Sequence, residues 1–195
     1  MESQTLLEYY HISNNRSDKG KEHNYIQKYY SDEFTPKRND KINILEIGVR
    51  FGDSIKLWRE WFTQGEVIGI DVIYTLQAQE LLKNLDVNII IDDAYSEECS
   101  NSLSIPNDFF DYIIDDGPHT LESQLRCVEL YLPKLKKGGK LIIEDIENWR
   151  IDVPKLKELG EKLGIQCEGN FIPGSSKRDN TLVIYTKWTN TQQYR

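Results

Sequence analysis

From residue 42 onward the chain alternates two hydrophobic rhythms. Short runs of aliphatic and β-branched residues at 42–47, 67–70, 87–91 and 110–114 are bounded by polar or glycine-containing segments, and they predict buried strands. Between the first three runs, at 54–62 and 76–84, apolar residues return every three or four positions, the spacing of an amphipathic helix. The strongest helical stripe follows the fourth run: Leu121, Leu125, Val128, Leu132 and Leu135. Pro133 has no N–H to donate, so it kinks or ends that helix, and Gly138-Gly139 turns the chain into a strand at 141–143. Strands alternating with helices in this way predict a parallel sheet covered on both faces.

The end of the chain reads differently. A helix over 153–163 is followed by two strand-like stretches, 165–171 and 182–186. Pro173-Gly174-Ser175-Ser176 between them is a turn signal that suits an antiparallel pair. The expected fold is therefore α/β and Rossmann-like, with a seven-stranded, mostly parallel sheet, a C-terminal antiparallel hairpin and helices on both faces. The first 40 residues are polar and tyrosine-rich and close at Pro36. They are expected to form an N-terminal helical lid segment, 1–40, on a single globular domain whose main body is 41–195.

Composition narrows the function classes. A length of 195 residues suits one domain with a real core. The net charge of −8 argues against a nucleic-acid partner. The basic cluster Lys134, Lys136, Lys137 and Lys140 reads as a solvated helix end and turn. No apolar run approaches the roughly 18 residues that span a membrane. The opening Met1-Glu2-Ser3-Gln4 shows no secretion signal, so the expected location is cytoplasmic. Cys99, Cys127 and Cys167 are odd in number and widely spaced, and read as reduced, small buried residues.

Candidate chemistry begins at Glu46-Ile47-Gly48-Val49-Arg50-Phe51-Gly52, between the first strand and the first helix. Glycine there lets the backbone turn tightly and approach a ligand, while the helix opening near Ser54 aims free N–H groups at it. Asp71 ends the second strand, where a carboxylate can accept the hydroxyls of a ribose. Together they point to a nucleoside-containing cofactor. A dinucleotide site wants three glycines spaced for a pyrophosphate, and this loop has two. The Glu-x-Gly-x-x-x-Gly loop instead resembles motif I of class I methyltransferases, which use S-adenosylmethionine (SAM). That resemblance places Gly48 and Gly52 under the methionine part, Asp71 on the ribose and Asp92 or Asp93, with Asp93 preferred, near the adenine. The antiparallel finish of the sheet also favours a methyltransferase over a dehydrogenase.

Two further strand ends are dense in acid: Asp115-Asp116-Gly117-Pro118-His119 and Glu144-Asp145. Asp115 is grouped with the cofactor residues. If the two strands are neighbours, Asp116, Glu144 and Asp145 converge, and carboxylates brought together repel unless a cation sits among them. An all-oxygen set suits a hard ion such as Mg²⁺. His119, three residues past Asp116, is suited to accept a proton near neutral pH.

In combination these segments resemble one family. Ser17-Asp18-Lys19-Gly20 with His23 and Tyr25, then Ile44-Leu45-Glu46-Ile47-Gly48-Val49, Ile113-Ile114-Asp115-Asp116-Gly117-Pro118-His119, Ile143-Glu144-Asp145 and Asp179-Asn180-Thr181-Leu182-Val183-Ile184 are similar to the metal-dependent sugar O-methyltransferases of the macrocin and mycinamicin type. The resemblance covers roughly residues 17–187. It implies Mg²⁺ held by Asp116, Glu144 and Asp145, His119 as general base, and a sugar or glycan acceptor, rhamnose among the candidates, with homo-oligomers among its members. Pro118 stands where that family carries a serine, and the family's long N-terminal extension is missing, which favours a more open acceptor than a macrolide. The segment 17–30 either resembles a lid whose Lys19, His23 and Tyr25 border the site, or packs one helix on the sheet through Tyr25, Tyr29 and Tyr30. Two other readings stay open: methylation of another small diol such as a catechol, and a non-catalytic SAM-binding module.

Overall fold

The computed structural model describes residues 4–102, 105–173 and 179–188. Met1, Glu2 and Ser3 of the opening segment and Gly174, Ser175 and Ser176 of the expected turn lie outside the described residues. Seven strands form a single sheet: β1 Ile44–Ile47, β2 Val67–Asp71, β3 Asn88–Ile91, β4 Phe110–Asp115, β5 Leu135–Ile143, β6 Gln166–Phe171 and β7 Thr181–Thr186. Their order is β3-β2-β1-β4-β5-β7-β6. The first five strands pair in parallel, whereas β7 inserts antiparallel between β5 and β6. The chain winds one way from β1 to β3 and then crosses to β4 on the other side of β1. That reversal opens a crevice at the carboxyl ends of β1 and β4, where open α/β sheets bind ligands.

Every residue of β1 is buried because helices cover both faces of the sheet. Alternation sends Ile44 and Glu46 to one face and Leu45 and Ile47 to the other. On the first face Ile44 joins Trp58, Trp61 and Phe62 of the α4 (Asp53–Trp61) layer. On the second, Leu45 and Ile47 meet Cys127, Val128 and Tyr131 of α7 (Leu121–Tyr131). The three cysteines are free, Cys99 and Cys127 buried and Cys167 half-buried.

The N-terminal segment belongs to the first layer. It runs through α1 Leu6–Ile12, α2 Asp18–Lys21, a π-helical turn at Ile26–Tyr30 and α3 Ser31–Phe34. A reciprocal capping box opens α1: Glu8 N–H donates to Thr5 Oγ1 at 3.2 Å and Thr5 N–H to Glu8 Oε2 at 2.8 Å. Leu6, Tyr10, Tyr25, Ile26, Tyr30 and Phe34 are all buried. Phe34 meets Trp58 edge-on, with ring centroids 5.3 Å apart, a favoured aromatic geometry.

Three local readings are corrected. The leucine recurrence reaches Leu135, but α7 stops at Tyr131, Leu132–Lys134 is a 3₁₀ turn around Pro133, and Leu135 already begins β5. The periodicity crossed an element boundary because both elements bury leucines against the same layer. α6, Glu97–Ser102, carries no apolar stripe and was not expected. Of the four lysines Lys137 is exposed as expected, whereas Lys134 is buried and donates to the Ile105 carbonyl, Lys136 pairs with Asp111 at 2.7 Å, and Lys140 pairs with Glu33. Among the described residues no helix is long and apolar enough to cross a membrane. The remaining helices are α5 Leu76–Leu82 and α8 Trp149–Lys162.

Candidate active site

The loop leaving β1 is built to approach something closely. Gly48 has φ +92°, and a Cβ there would overlap the backbone carbonyl of Asp116. Its N–H donates to the Ile70 carbonyl at 2.9 Å, which pins the loop to β2. Asp71 reinforces that hold: Oδ2 accepts the N–H groups of Val49 and Arg50 at 2.8 Å each, and Oδ1 accepts the Ile73 N–H at 3.1 Å. Gly52 forms the N-cap of α4. The loop borders a cavity of about 830 Å³, a volume within the usual range for small-molecule sites and ample for a nucleoside cofactor.

Gly48, Ser54, Asp71, Asp93, Asp116, His119 and Asp145 line this cavity, and so does His23. Gly52, Glu46 and Asp115 stand behind its wall. Glu46 is fully buried and accepts the Ser54 hydroxyl at 2.7 Å and the Trp58 indole N–H at 2.5 Å. Burial raises its pKa, and Lys19 acts in the opposite direction. Asp115 accepts the Tyr95 hydroxyl at 2.5 Å, while its Oδ2 finds no partner. Burial pushes the Asp115 carboxyl up to about 7.

The acidic cluster divides in two. Toward the cavity, His119 Nε2 lies 3.9 Å from Asp116 Oδ1 and 3.8 Å from Asp145 Oδ2. These separations are too long for hydrogen bonds. One ligand-type atom from each of the three side chains falls within 4.8 Å of the others, so Asp116 and Asp145 could share a cation with the His119 imidazole beside it. His119 and Asp145 both hold positive φ, at 60° and 54°. Such backbone strain in non-glycine residues gathers where side-chain aim matters. Burial, reinforced by Asp116, pushes the Asp145 carboxyl up to about 8, as expected for carboxylates crowded together.

Away from the cavity, Glu144 is 1% exposed and engaged at both oxygens. Lys19 Nζ donates to its Oε2 and the Tyr30 hydroxyl to its Oε1, the latter at 2.5 Å. The structure thus brings Asp116 and Asp145 to one point with His119 and sets Glu144 behind them. Lys19 also reaches Asp116 Oδ2 at 2.5 Å and Glu46 Oε1 at 3.2 Å. Burial pulls the Lys19 pKa down, but Asp116, Glu144 and Glu46 outweigh it and hold the ammonium charged.

The other residues of the N-terminal segment reach the same acids. The Tyr25 hydroxyl donates to Asp145 Oδ1 at 2.7 Å. His23 Nδ1 lies 3.1 Å from that oxygen but out of hydrogen-bond alignment. Burial lowers the His23 pKa against the pull of Asp179. Tyr25 is thus buried in the core while its hydroxyl reaches Asp145. Sequence reasoning missed Tyr30, Arg16, Asp53 and Asp179, the last three lining the cavity. Tyr30 carried a signal as one of a tyrosine series and Asp179 as the first residue of the 179–184 segment, but neither spacing named its partner.

No family model matches the chain. Among curated proteins it is 27% identical over 125 residues to demethylmacrocin O-methyltransferase of Streptomyces fradiae, covering 60% of this chain and 31% of that protein. It is 26% identical over 190 residues to a rhamnosyl-tetracenomycin-C 3'-O-methyltransferase of Streptomyces olivaceus, covering 89% of this chain and 44% of that protein. The chain therefore spans less than half the length of these relatives. Among solved structures, the MycE methyltransferase of the mycinamycin biosynthetic pathway, in complex with Mg and SAH, superposes with a TM-score of 0.73 at 21% identity, covering 98% of this chain and 57% of that one. An SAH-bound Podospora anserina methyltransferase superposes with a TM-score of 0.62 at 18% identity, covering 95% and 88%. The chain has the fold of the class I SAM-dependent methyltransferases, and the curated relatives it matches are sugar O-methyltransferases.

Proposed function

We propose that this chain transfers a methyl group from SAM to a hydroxyl of a sugar-bearing acceptor, assisted by a divalent cation such as Mg²⁺. The observation that carries the reading is the convergence of Asp116, His119 and Asp145 on the wall of the cavity that Gly48 and Asp71 border. The sugar O-methyltransferases among the relatives, and the Mg and SAH in the MycE complex, support it.

In this reading the loop at Gly48 and the N-terminus of α4 hold the methionine part of SAM, and Asp71 and Asp93 serve the ribose and adenine. Asp116 and Asp145 would hold the cation, with Glu144 close behind. Bound there, SAM would supply an electrophilic methyl group and the cation Lewis-acid polarisation of the acceptor hydroxyls. His119 Nε2 would accept the hydroxyl proton, and the freed oxygen would take the methyl group as its bond to the SAM sulfur breaks and S-adenosylhomocysteine leaves. Holding donor and acceptor together in the cavity would itself supply a large part of the rate. A rhamnose-like ring, with adjacent hydroxyls, fits two-point attachment to such a site.

Label transfer from methyl-labelled SAM to rhamnosides and other simple glycosides, in Mg²⁺ and in EDTA, tests the proposal. Label found with Mg²⁺ and lost in EDTA is the expected result. Label that persists in EDTA removes the cation from the reaction, and no label in any glycoside removes the sugar.

A further inference from the structure

Lys19 is 1% exposed, yet its ammonium meets carboxylates from three separate strand ends: Glu144 after β5, Asp116 after β4 and Glu46 on β1. The sequence reading put Lys19 at the border of the site but not these pairings, since Asp116 and Glu144 lie 97 and 125 residues away. Burying a lysine costs side-chain entropy and desolvation, so its place must be explained by the acids around it. With Tyr30 on Oε1 and Lys19 on Oε2, both Glu144 oxygens are taken. Asp116 Oδ2 is taken too, at 2.5 Å. The ammonium thus occupies oxygens of Glu144 and Asp116 that a bound cation would otherwise draw on. Two cations cannot share the same pair of oxygens without strong repulsion.

We propose that Lys19 is a positioning residue for the cation: an internal counter-ion that competes for Glu144 and Asp116 Oδ2 and so keeps divalent-ion binding weak and exchangeable. An incoming ion meets the cavity-facing oxygens of Asp116 and Asp145 first, and gains Glu144 only as far as Lys19 yields it toward Glu46. The inference rests on the divalent-ion part of the proposed function. It also gives the metal-free protein a reason to hold its shape, since the ammonium offsets repulsion among Glu46, Asp116, Glu144 and Asp145.

The test is calorimetric titration of Mg²⁺ into the whole chain and its Lys19→Met variant, with melting curves in Mg²⁺ and in EDTA. Methionine keeps the length of the side chain and removes the charge. A purely structural lysine would leave a weakened protein with no gain in metal affinity. Competition instead predicts that Lys19→Met binds Mg²⁺ at least about tenfold more tightly. Its melting temperature should fall in EDTA and recover in Mg²⁺ by more than that of the wild type.

Lys19→Met leaves a buried carboxylate without its cation, so a second pair guards against misfolding. Glu144→Gln and Lys19→Met/Glu144→Gln ask the same question with that carboxylate neutralised, and the double variant should bind Mg²⁺ more tightly than the single one. Equal or weaker binding on losing Lys19, in a wild-type frame that does bind Mg²⁺, overturns this inference alone. Absence of Mg²⁺ binding in every protein overturns it together with the divalent-ion reading, and makes Lys19 the permanent cation of the site.

Discussion

Gly48→Ala isolates what the close approach at the β1 exit is worth. Gly48 has φ +92° and Gly138 has φ +81°, so alanine at either meets the same backbone strain. Their surroundings differ. A Cβ at Gly138 meets nothing within 4 Å, whereas at Gly48 it would lie 2.7 Å from the Asp116 carbonyl carbon and 3.3 Å from the Gly117 nitrogen. Those are backbone atoms and cannot rotate away. Gly138→Ala should therefore cost only the left-handed penalty, about 1–2 kcal/mol. Gly48→Ala adds an overpacking cost of about 1–3 kcal/mol. At about 2–4 °C per kcal/mol for a domain of this size, Gly138→Ala should melt about 2–8 °C below the wild type and Gly48→Ala about 4–20 °C below it. The displaced backbone carries Asp116, so SAH affinity should also fall at least about tenfold, or ~1.4 kcal/mol, in Gly48→Ala and stay unchanged in Gly138→Ala. Differential scanning fluorimetry and SAH calorimetry read both effects. A Gly48→Ala protein that melts with Gly138→Ala and binds SAH like the wild type would refute the argument.

Three other outcomes are expected. His119→Ala should lower methyl transfer by about 10²–10⁴-fold while SAH binding, followed by calorimetry, stays near wild type. Tyr25→Phe removes the 2.7 Å bond to Asp145 and should cost about 1–3 kcal/mol in urea unfolding, because that carboxylate is largely buried. Glu33 accepts from Lys140, Lys37 and the Tyr112 hydroxyl, and although burial acts against ionisation, these bonds hold its carboxyl below its ordinary value. A depressed folded-state pKa contributes stability that is present above the unfolded value of 4.5 and is lost as pH falls through the folded one. Urea midpoints from pH 7 downward should thus drop more steeply on acidification for the wild type than for Glu33→Gln, and parallel curves would exclude Glu33 as a source of acid sensitivity.

The periodicities of the chain were sufficient for the architecture. Buried strands with both faces covered read as unbroken apolar runs, and the parallel-then-antiparallel order followed from helices between the early strands and their absence between the last two. The glycine loop, Asp71 and the two acidic strand ends were also legible, since strand exits are where a parallel sheet puts its chemistry. Less regular elements were not. The Leu132 and Leu135 positions continued a helical rhythm by coincidence, and the N-terminal segment has too many polar residues to show an apolar stripe.

What tertiary structure alone decided is which charges meet. Asp116, Glu144 and Asp145 looked equivalent in sequence as acids at strand ends. Past the end of β5 the chain turns, with Asp145 at φ 54°, and sets Asp145 toward the cavity and His119 and Glu144 inward to Lys19 and Tyr30. Contacts of that kind span more than 100 residues, as from Lys19 to Glu144 and from Tyr25 to Asp145. Local sequence sets the period of an element and the residues at its ends. The pairing of buried charges depends on distances of a few ångströms across the fold, which exist only once the sheet is assembled.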